Sequence, residues 1–208
     1  MRLLSVVWLF LVIVVLAQAG AAVQALPGAK AVFLIAKPQV KGPFFRRSVV
    51  LVTPHGKGAT IGLILNRPTD IQLTRPGGDP LPPSAANPVV YVGGPVDRHR
   101  TVFLVRSPTP IAAGLELVEG VYMSESSEVL DEALTTGLPK TELRVFKGYS
   151  SWVKGQLARE IKRDDWLVVP AQADLIFAEP EGLWERLMME HRGGRWVDAL
   201  DSLAAENG

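Results

Sequence analysis

The chain has 208 residues, 48% of them hydrophobic, with 22 Lys and Arg against 21 Asp and Glu and no cysteine. That is ample for one domain with a sizeable core and short for two. The lack of cysteine excludes disulfides, thiolate catalysis and cysteine metal sites, and the near-neutral charge excludes a bulk field that would draw in nucleic acid.

Arg2 is the only charged side chain before Lys30, and Leu3 to Ala17 is apolar apart from Ser5. Small residues follow at Ala19, Gly20, Ala21 and Ala22. A basic start, an apolar middle and a small-residue end are the parts of a secretory signal. Val23-Gln24-Ala25 offers a cleavage position and Ala19-Gly20-Ala21 a second. Residues 1–25 are therefore predicted to be a signal peptide and 26–208 the working domain, with its core at about 31–190. The predicted location is the periplasm or the medium. Left uncleaved, the segment would anchor the domain to a membrane, although the apolar run itself falls short of the about 20 residues a spanning helix needs. Without residues 1–25 the charges balance at 21 of each sign, since only Arg2 is lost.

Ala31 to Ala36 reads as a buried strand ended by Lys37-Pro38. Ser48–Thr53 and Thr60–Leu65 flank Pro54-His55-Gly56-Lys57-Gly58, so the three together predict a β-hairpin. Their unbroken apolar runs predict burial on both faces. Arg75 to Pro88 is a proline- and glycine-rich loop. Strands are then predicted at Val89–Val92, ending at Gly93-Gly94-Pro95, at Thr101–Val105, and as a pair at Leu115–Val118 and Gly120–Met123. A helix is predicted over Ser126–Thr136, with Gly137 as its stop. After a strand at Leu143–Phe146, Ser150 and Ser151 are read as the N-cap of an amphipathic helix reaching Ile161, with Val153, Leu157 and Ile161 on one face. A strand at Trp166–Val169 and a helix at Leu183–Glu190 follow, and Trp196–Gly208 is read as a peripheral helix or a frayed end. Strands first and alternating strands and helices afterwards argue for a mixed α/β or α+β domain rather than a doubly wound one.

Chemistry-bearing patterns are few. His55, His99 and His191 belong to no metal-ligand motif, so no metal or other cofactor is expected. Gly148-Tyr149-Ser150-Ser151 lacks the second glycine of a nucleophile elbow, and Gly56-Lys57-Gly58 fails the P-loop spacing, so no catalytic residue is assigned. Asn66-Arg67-Pro68 directly follows a buried strand. Arg67 there either ties its loop down through an internal ion pair or offers a planar fork to a carboxylate or phosphate. Gly93-Gly94 either makes a tight turn or presents backbone amides to an anion. If the sheet gathers them, His55, Asn66, Arg67, Gly93 and Gly94 form the candidate binding surface. Arg46-Arg47, Lys37 and Lys41 make a basic cluster beside Phe44-Phe45. Basic groups beside aromatic ones suit nucleic acid, but neutral charge and export weigh against that and favour a solvated loop.

These residues also carry a resemblance. In order, Phe33-Leu34-Ile35-Ala36 with Pro38, Phe45 with Ser48-Val49-Val50, His55 with Gly58, Gly62 through Pro68, Gly93-Gly94-Pro95-Val96, Gly148-Tyr149-Ser150 with Trp152, Gly155-Gln156-Leu157 with Glu160, Trp166 and Ile176-Phe177 resemble the YqgE/AlgH family of bacterial proteins. The likeness spans about Ala31 to Leu187. It implies one α/β domain with a mixed, strongly curved sheet and flanking helices, and brings no agreed catalytic residue or cofactor. Two departures stand out: a signal-like segment precedes the first strand, and the stretch after Asn66-Arg67-Pro68 has proline and glycine where the family has a helix.

The leading expectation is an exported, non-enzymatic module that binds a protein partner or a small anionic ligand, with a membrane involved only through an uncleaved N-terminal segment. The alternatives are a transcriptional regulator, as the family label suggests, and a hydrolase of unrecognised type with His55 as general base.

Overall fold

The computed structural model describes residues 30–56, 58–73, 88–111, 113–136 and 142–191. The signal-like segment, most of the proline- and glycine-rich stretch and the chain after His191 lie outside the described residues.

The apolar runs form β1 (Val32–Ala36), β2 (Val49–His55) and β3 (Ala59–Ile64), and a two-residue β4 (Pro68–Thr69) follows. Next come β5 (Val90–Val92), β6 (Val96–Arg106), β7 (Leu115–Val118), β8 (Val121–Ser124) and α1 (Ser127–Thr136). The remainder is β9 (Leu143–Trp152), α2 (Gln156–Lys162), β10 (Trp166–Pro170), α3 (Ala173–Ile176) and α4 (Leu183–Glu190). The strands make one sheet in the order β10-β1-β2-β3-β9-β6-β8-β7, with β5 on β9 and β4 on β5. All pairs are antiparallel except β5 with β9.

Strand alternation explains why β1 and β2 are apolar at nearly every position. Phe33, Ile35, Val49 and Leu51 face one core together with Tyr91, Phe146, Ile176, Leu183 and Leu187, so α3 and α4 cover that side. Val32, Leu34, Val50 and Val52 face the opposite core with Trp152, Leu157 and Trp166, covered by α2 and Phe45. On the β6 side, α1 sets Val129 and Leu130 against Phe103, Val105 and Val145. Each fully buried Leu, Ile or Phe contributes about 1.5–3 kcal/mol, so a sheet packed on both faces needs no disulfide.

The sheet curls strongly. Leu117, Val118 and Val121, from its far end, share a core with Phe33 and Ile35. The Lys30 amide donates to the Leu117 carbonyl at 2.8 Å. Between β7 and β10, the two ends of the path, no ladder forms among the described residues, so the sheet is a half-barrel. The domain is thus a curled, largely antiparallel sheet with a few short helices, poorer in helix than the sequence pattern implied.

Several elements depart from the sequence reading. β9 runs on to Trp152, so Ser150 and Ser151 lie in a strand and cap no helix. The helix begins only at Gln156, behind a left-handed Gly155, and Val153 is 67% exposed. The period-2 burial of β9 overrides the helical spacing of Val153, Leu157 and Ile161. β6 starts at Val96, five residues earlier than expected. Between Val96 and Thr101 its register slips against β9, from Tyr149 to Lys147, so Asp97 to Arg100 bulge out of the ladder. α3 and β4 were not anticipated.

Candidate functional site

The glycines at the centre of the fold are structural. A Cβ on Gly93 would lie 2.2 Å from the Gly148 carbonyl oxygen, and one on Gly94 would lie 2.3 Å from the Tyr149 carbonyl. Gly148 itself takes φ of 71°. The two backbones meet here because no side chain separates them. The Gly93 amide donates to the Lys147 carbonyl at 2.9 Å, and the Gly93 carbonyl accepts from the Ile64 amide at 3.0 Å and from Ser150 Oγ at 3.2 Å. Gly93 and Gly94 are buried, so the Gly93 amide is spent inside the sheet rather than offered to an anion.

Ser150 and Trp152 extend this interlock outward. Trp152 Nε1 and Trp166 Nε1 both donate to Glu160 Oε2 at 2.9 Å, and Gln156 Nε2 donates to Oε1 at 2.9 Å. The two indoles meet edge to face at 6.1 Å, and Phe45 packs on both, at 5.8 and 5.6 Å. Phe45 is therefore committed to the core and does not serve as a stacking platform beside the basic cluster. Lys37, from the same cluster, is paired with Asp164.

Asn66 and Arg67 sit where β3 ends. Asn66 Oδ1 accepts from the Val49 amide and its Nδ2 donates to the Arg47 carbonyl, each at 2.9 Å, so the side chain imitates one more rung of the β2–β3 ladder. Arg67 donates to the Asn66 carbonyl at 3.3 Å and to the Arg46 carbonyl. The internal ion pair foreseen for Arg67 is not formed; among the described residues no carboxylate pairs with it. Burial, then the charges of Arg46 and Arg47, pull its pKa below the ordinary arginine value. A guanidinium does not deprotonate at neutral pH, so Arg67 is a half-buried cation among cations.

These residues line a broad, open cleft with Lys41, Arg46, Arg47, Gly182, Trp184 and Glu185. Arg47, held at φ of 55°, stacks on Trp184 at 4.8 Å and pairs with Glu185, the one carboxylate among the described residues of the lining. Trp184 Nε1 donates to the Ala36 carbonyl at 2.7 Å, which fixes α4 to the end of β1. α4 begins at this cleft behind Gly182, with no side chain capping it, so its first-turn amides and dipole add to the positive field. Behind the cleft the buried Arg144 donates to the carbonyls of Leu65, at 3.0 Å, and Ala178 while lying over Tyr91 at 4.7 Å. It joins the strand that delivers Asn66 to the segment that delivers α4. Sequence reasoning missed Arg144, Trp184 and Glu185, because nothing local links them to Arg67.

His55 lies elsewhere. It is exposed at the tip of the β2–β3 hairpin and lines a second, narrow cleft under the curl of the sheet. Ser151 lines the same cleft, yet among the described residues no hydrogen bond joins the two. The five candidate residues thus divide: Asn66 and Arg67 at the basic cleft, His55 at the other, and Gly93 and Gly94 at neither. Among the described residues no group of three or more His, Asp or Glu gathers in a metal-binding arrangement.

Residues 33–196 match the family described as AlgH-like (DUF179). A UPF0301 protein of Cereibacter sphaeroides is 34% identical over 167 residues, covering 77% of this chain and 89% of that protein. The UPF0301 protein YqgE of Escherichia fergusonii is 33% identical over 160 residues, covering 71% and 83%. The solution structure of the AlgH protein from Pseudomonas aeruginosa superposes with a TM-score of 0.66 at 29% identity, covering 89% of this chain and 98% of that one. A crystal structure of a Corynebacterium diphtheriae protein gives 0.64 at 25% identity, covering 86% and 94%.

Proposed function

The chain belongs to the AlgH-like family, and from that footing we propose that it is a non-enzymatic binding module whose basic cleft recognises an anionic group, on a small ligand or on a partner. The family brings a fold and no reaction, so the cleft carries the reading. One observation supports it above the rest: Arg46, Arg47 and Arg67 converge with Lys41 at the uncapped start of α4, where Glu185 is the one carboxylate among the described residues of the lining. Holding like charges together costs free energy in the empty protein, and an anion seated among them removes that cost. Guanidinium forks and helix amides are the donors that phosphate and carboxylate groups accept from. The left-handed Arg47, an uncommon backbone state costing on the order of 1 kcal/mol, fits a loop shaped for contact.

Isothermal titration with pyrophosphate tests this. Wild type binds saturably, more weakly as salt rises. Arg46→Ala removes an exposed side chain that makes no hydrogen bond among the described residues and lowers affinity about ten-fold, the scale of one charge-assisted hydrogen bond. Glu185→Gln, which frees Arg47, raises it. Unchanged affinity in Arg46→Ala would refute the assignment.

We also propose that the module works outside the cytoplasm. The order Arg2, apolar Leu3–Ala17, small Ala19–Ala22 supports this. Residues 1–30 fused to a reporter active only after export should give signal; a silent reporter would move the regulator reading forward.

A further inference from the structure

The cleft beneath the curl of the sheet is distinct from the basic one and has its own chemistry. Its floor is apolar, made by Leu51 and Leu63 of the hairpin, Val102 of β6, Leu117 of β7 and Met123 of β8. Its rim is polar and sparse. Arg100, carried there by the β6 bulge, lies over the Tyr149 ring at 5.4 Å and donates through Nη2 to Glu125 Oε2 at 2.5 Å. Those two contacts hold the guanidinium in place while leaving most of its five N–H donors for other acceptors. Where β7 approaches the chain just before β1, the Lys30 amide bonds the Leu117 carbonyl, and among the described residues no ladder fills the wedge between the hairpin tip and the β7–β8 pair. Concave apolar sites with a few fixed polar groups, at the mouth of a curled sheet, are where small molecules bind.

We propose that this cleft binds a short amphiphile with a carboxylate head, its apolar tail on Leu51, Leu63, Val102, Leu117 and Met123 and its head on Arg100. The head is assigned by the donor. A guanidinium fixed by ring stacking matches the planar two-oxygen geometry of a carboxylate. Glu125 already occupies one edge of Arg100 as an internal carboxylate, so a ligand carboxylate shares or competes for the same fork. His55 and Ser151 are rim neighbours with no step to perform in this assignment.

Octanoate and octanol are the probes, titrated while the Met123 methyl resonance is followed by NMR. Octanoate should bind saturably and shift Met123, and octanol should bind more weakly. Arg100→Met should lower octanoate affinity about ten-fold, and Glu125→Gln should raise it by removing the competitor. Met123→Trp should abolish binding by filling the floor, with thermal unfolding confirming that each variant is folded. Arg46→Ala, at the basic cleft, should leave octanoate binding unchanged, so the two sites fail or stand separately. No saturable octanoate binding overturns the site. Equal affinity for octanol and octanoate, with Glu125→Gln without effect, overturns the carboxylate head even if Arg100→Met does not fold.

Discussion

Gly94→Ala should destabilise the domain by at least about 4 kcal/mol, the range reserved for changes the backbone cannot absorb. A typical domain holds only about 5–15 kcal/mol in total, so the variant should be recovered largely unfolded or with a melting point lower by about 10 °C or more. The added methyl would lie 2.3 Å from the Tyr149 carbonyl and 2.4 Å from the Ser150 nitrogen. Those are backbone atoms with no rotamer to escape into, and Gly93 presses on Gly148 in the same way. Moving β9 away would lose the Ser150 to Gly93 bond and shift Tyr149, on which Arg100 rests. Gly42→Ala is the control: nothing lies within 4 Å of its Cβ position, and the change should stay within about 0.5 kcal/mol. Urea unfolding of the two variants beside wild type decides; a wild-type midpoint for Gly94→Ala would contradict the interlock.

Glu160→Ala should cost about 3 kcal/mol or more, because the indole N–H groups of Trp152 and Trp166 lose their shared acceptor inside the core. The two rings are 2% and 4% exposed, so water replaces the carboxylate poorly. The same residue sets a pH dependence. Burial pushes its carboxyl up, but hydrogen bonds from Trp166, Gln156 and Trp152, with the Arg163 charge, more than offset this, and the pKa falls below the ordinary value. A carboxyl with a depressed folded pKa stabilises fully above its unfolded value, about 4.3. That contribution is lost as pH falls through the folded value. The stability gap between wild type and Glu160→Gln should therefore be constant from pH 7 to about 5 and narrow below about 4. Urea midpoints across that range measure it, with indole fluorescence reporting Trp152 and Trp166 directly. Parallel curves for the two proteins would count against ionised Glu160 as the acceptor.

What could be read from the chain follows from how local each signal is. The runs Val32–Ala36 and Val49–Thr53 announce two-sided burial by composition alone, and α4 by its apolar spacing. The fate of Gly93-Gly94 depends on Gly148, more than fifty residues away in sequence, and no local pattern tells a close backbone approach from an anion-binding turn. Gly148 lies beyond the predicted strand Leu143–Phe146, yet at φ of 71° it stays within β9, which runs on to Trp152. Arg100 escaped notice because the bulge that places it is invisible in the alternation of β6. The grouping of His55 with Asn66 and Arg67 ignored a distance the sequence did contain. A hairpin arm, β3, separates them, and at about 3.3 Å per residue its length is roughly 20 Å. His55 and Asn66 stand at opposite ends of that arm and line different clefts. Asn66 and Arg67 stand out in the sequence because they directly follow a buried strand; in the structure Asn66 bonds the backbone of Val49 and Arg47, and Arg67 lies beside Arg46 and Arg47.

The basic cleft is the heart of the functional reading, and pyrophosphate titrated into isotopically labelled protein tests it residue by residue. Saturable shifts at the guanidinium Nε–H groups of Arg46, Arg47 and Arg67, together with the backbone amides of Trp184 and Glu185, are the predicted result. Resonances that stay still there, or that move only at distant surface lysines, would contradict it.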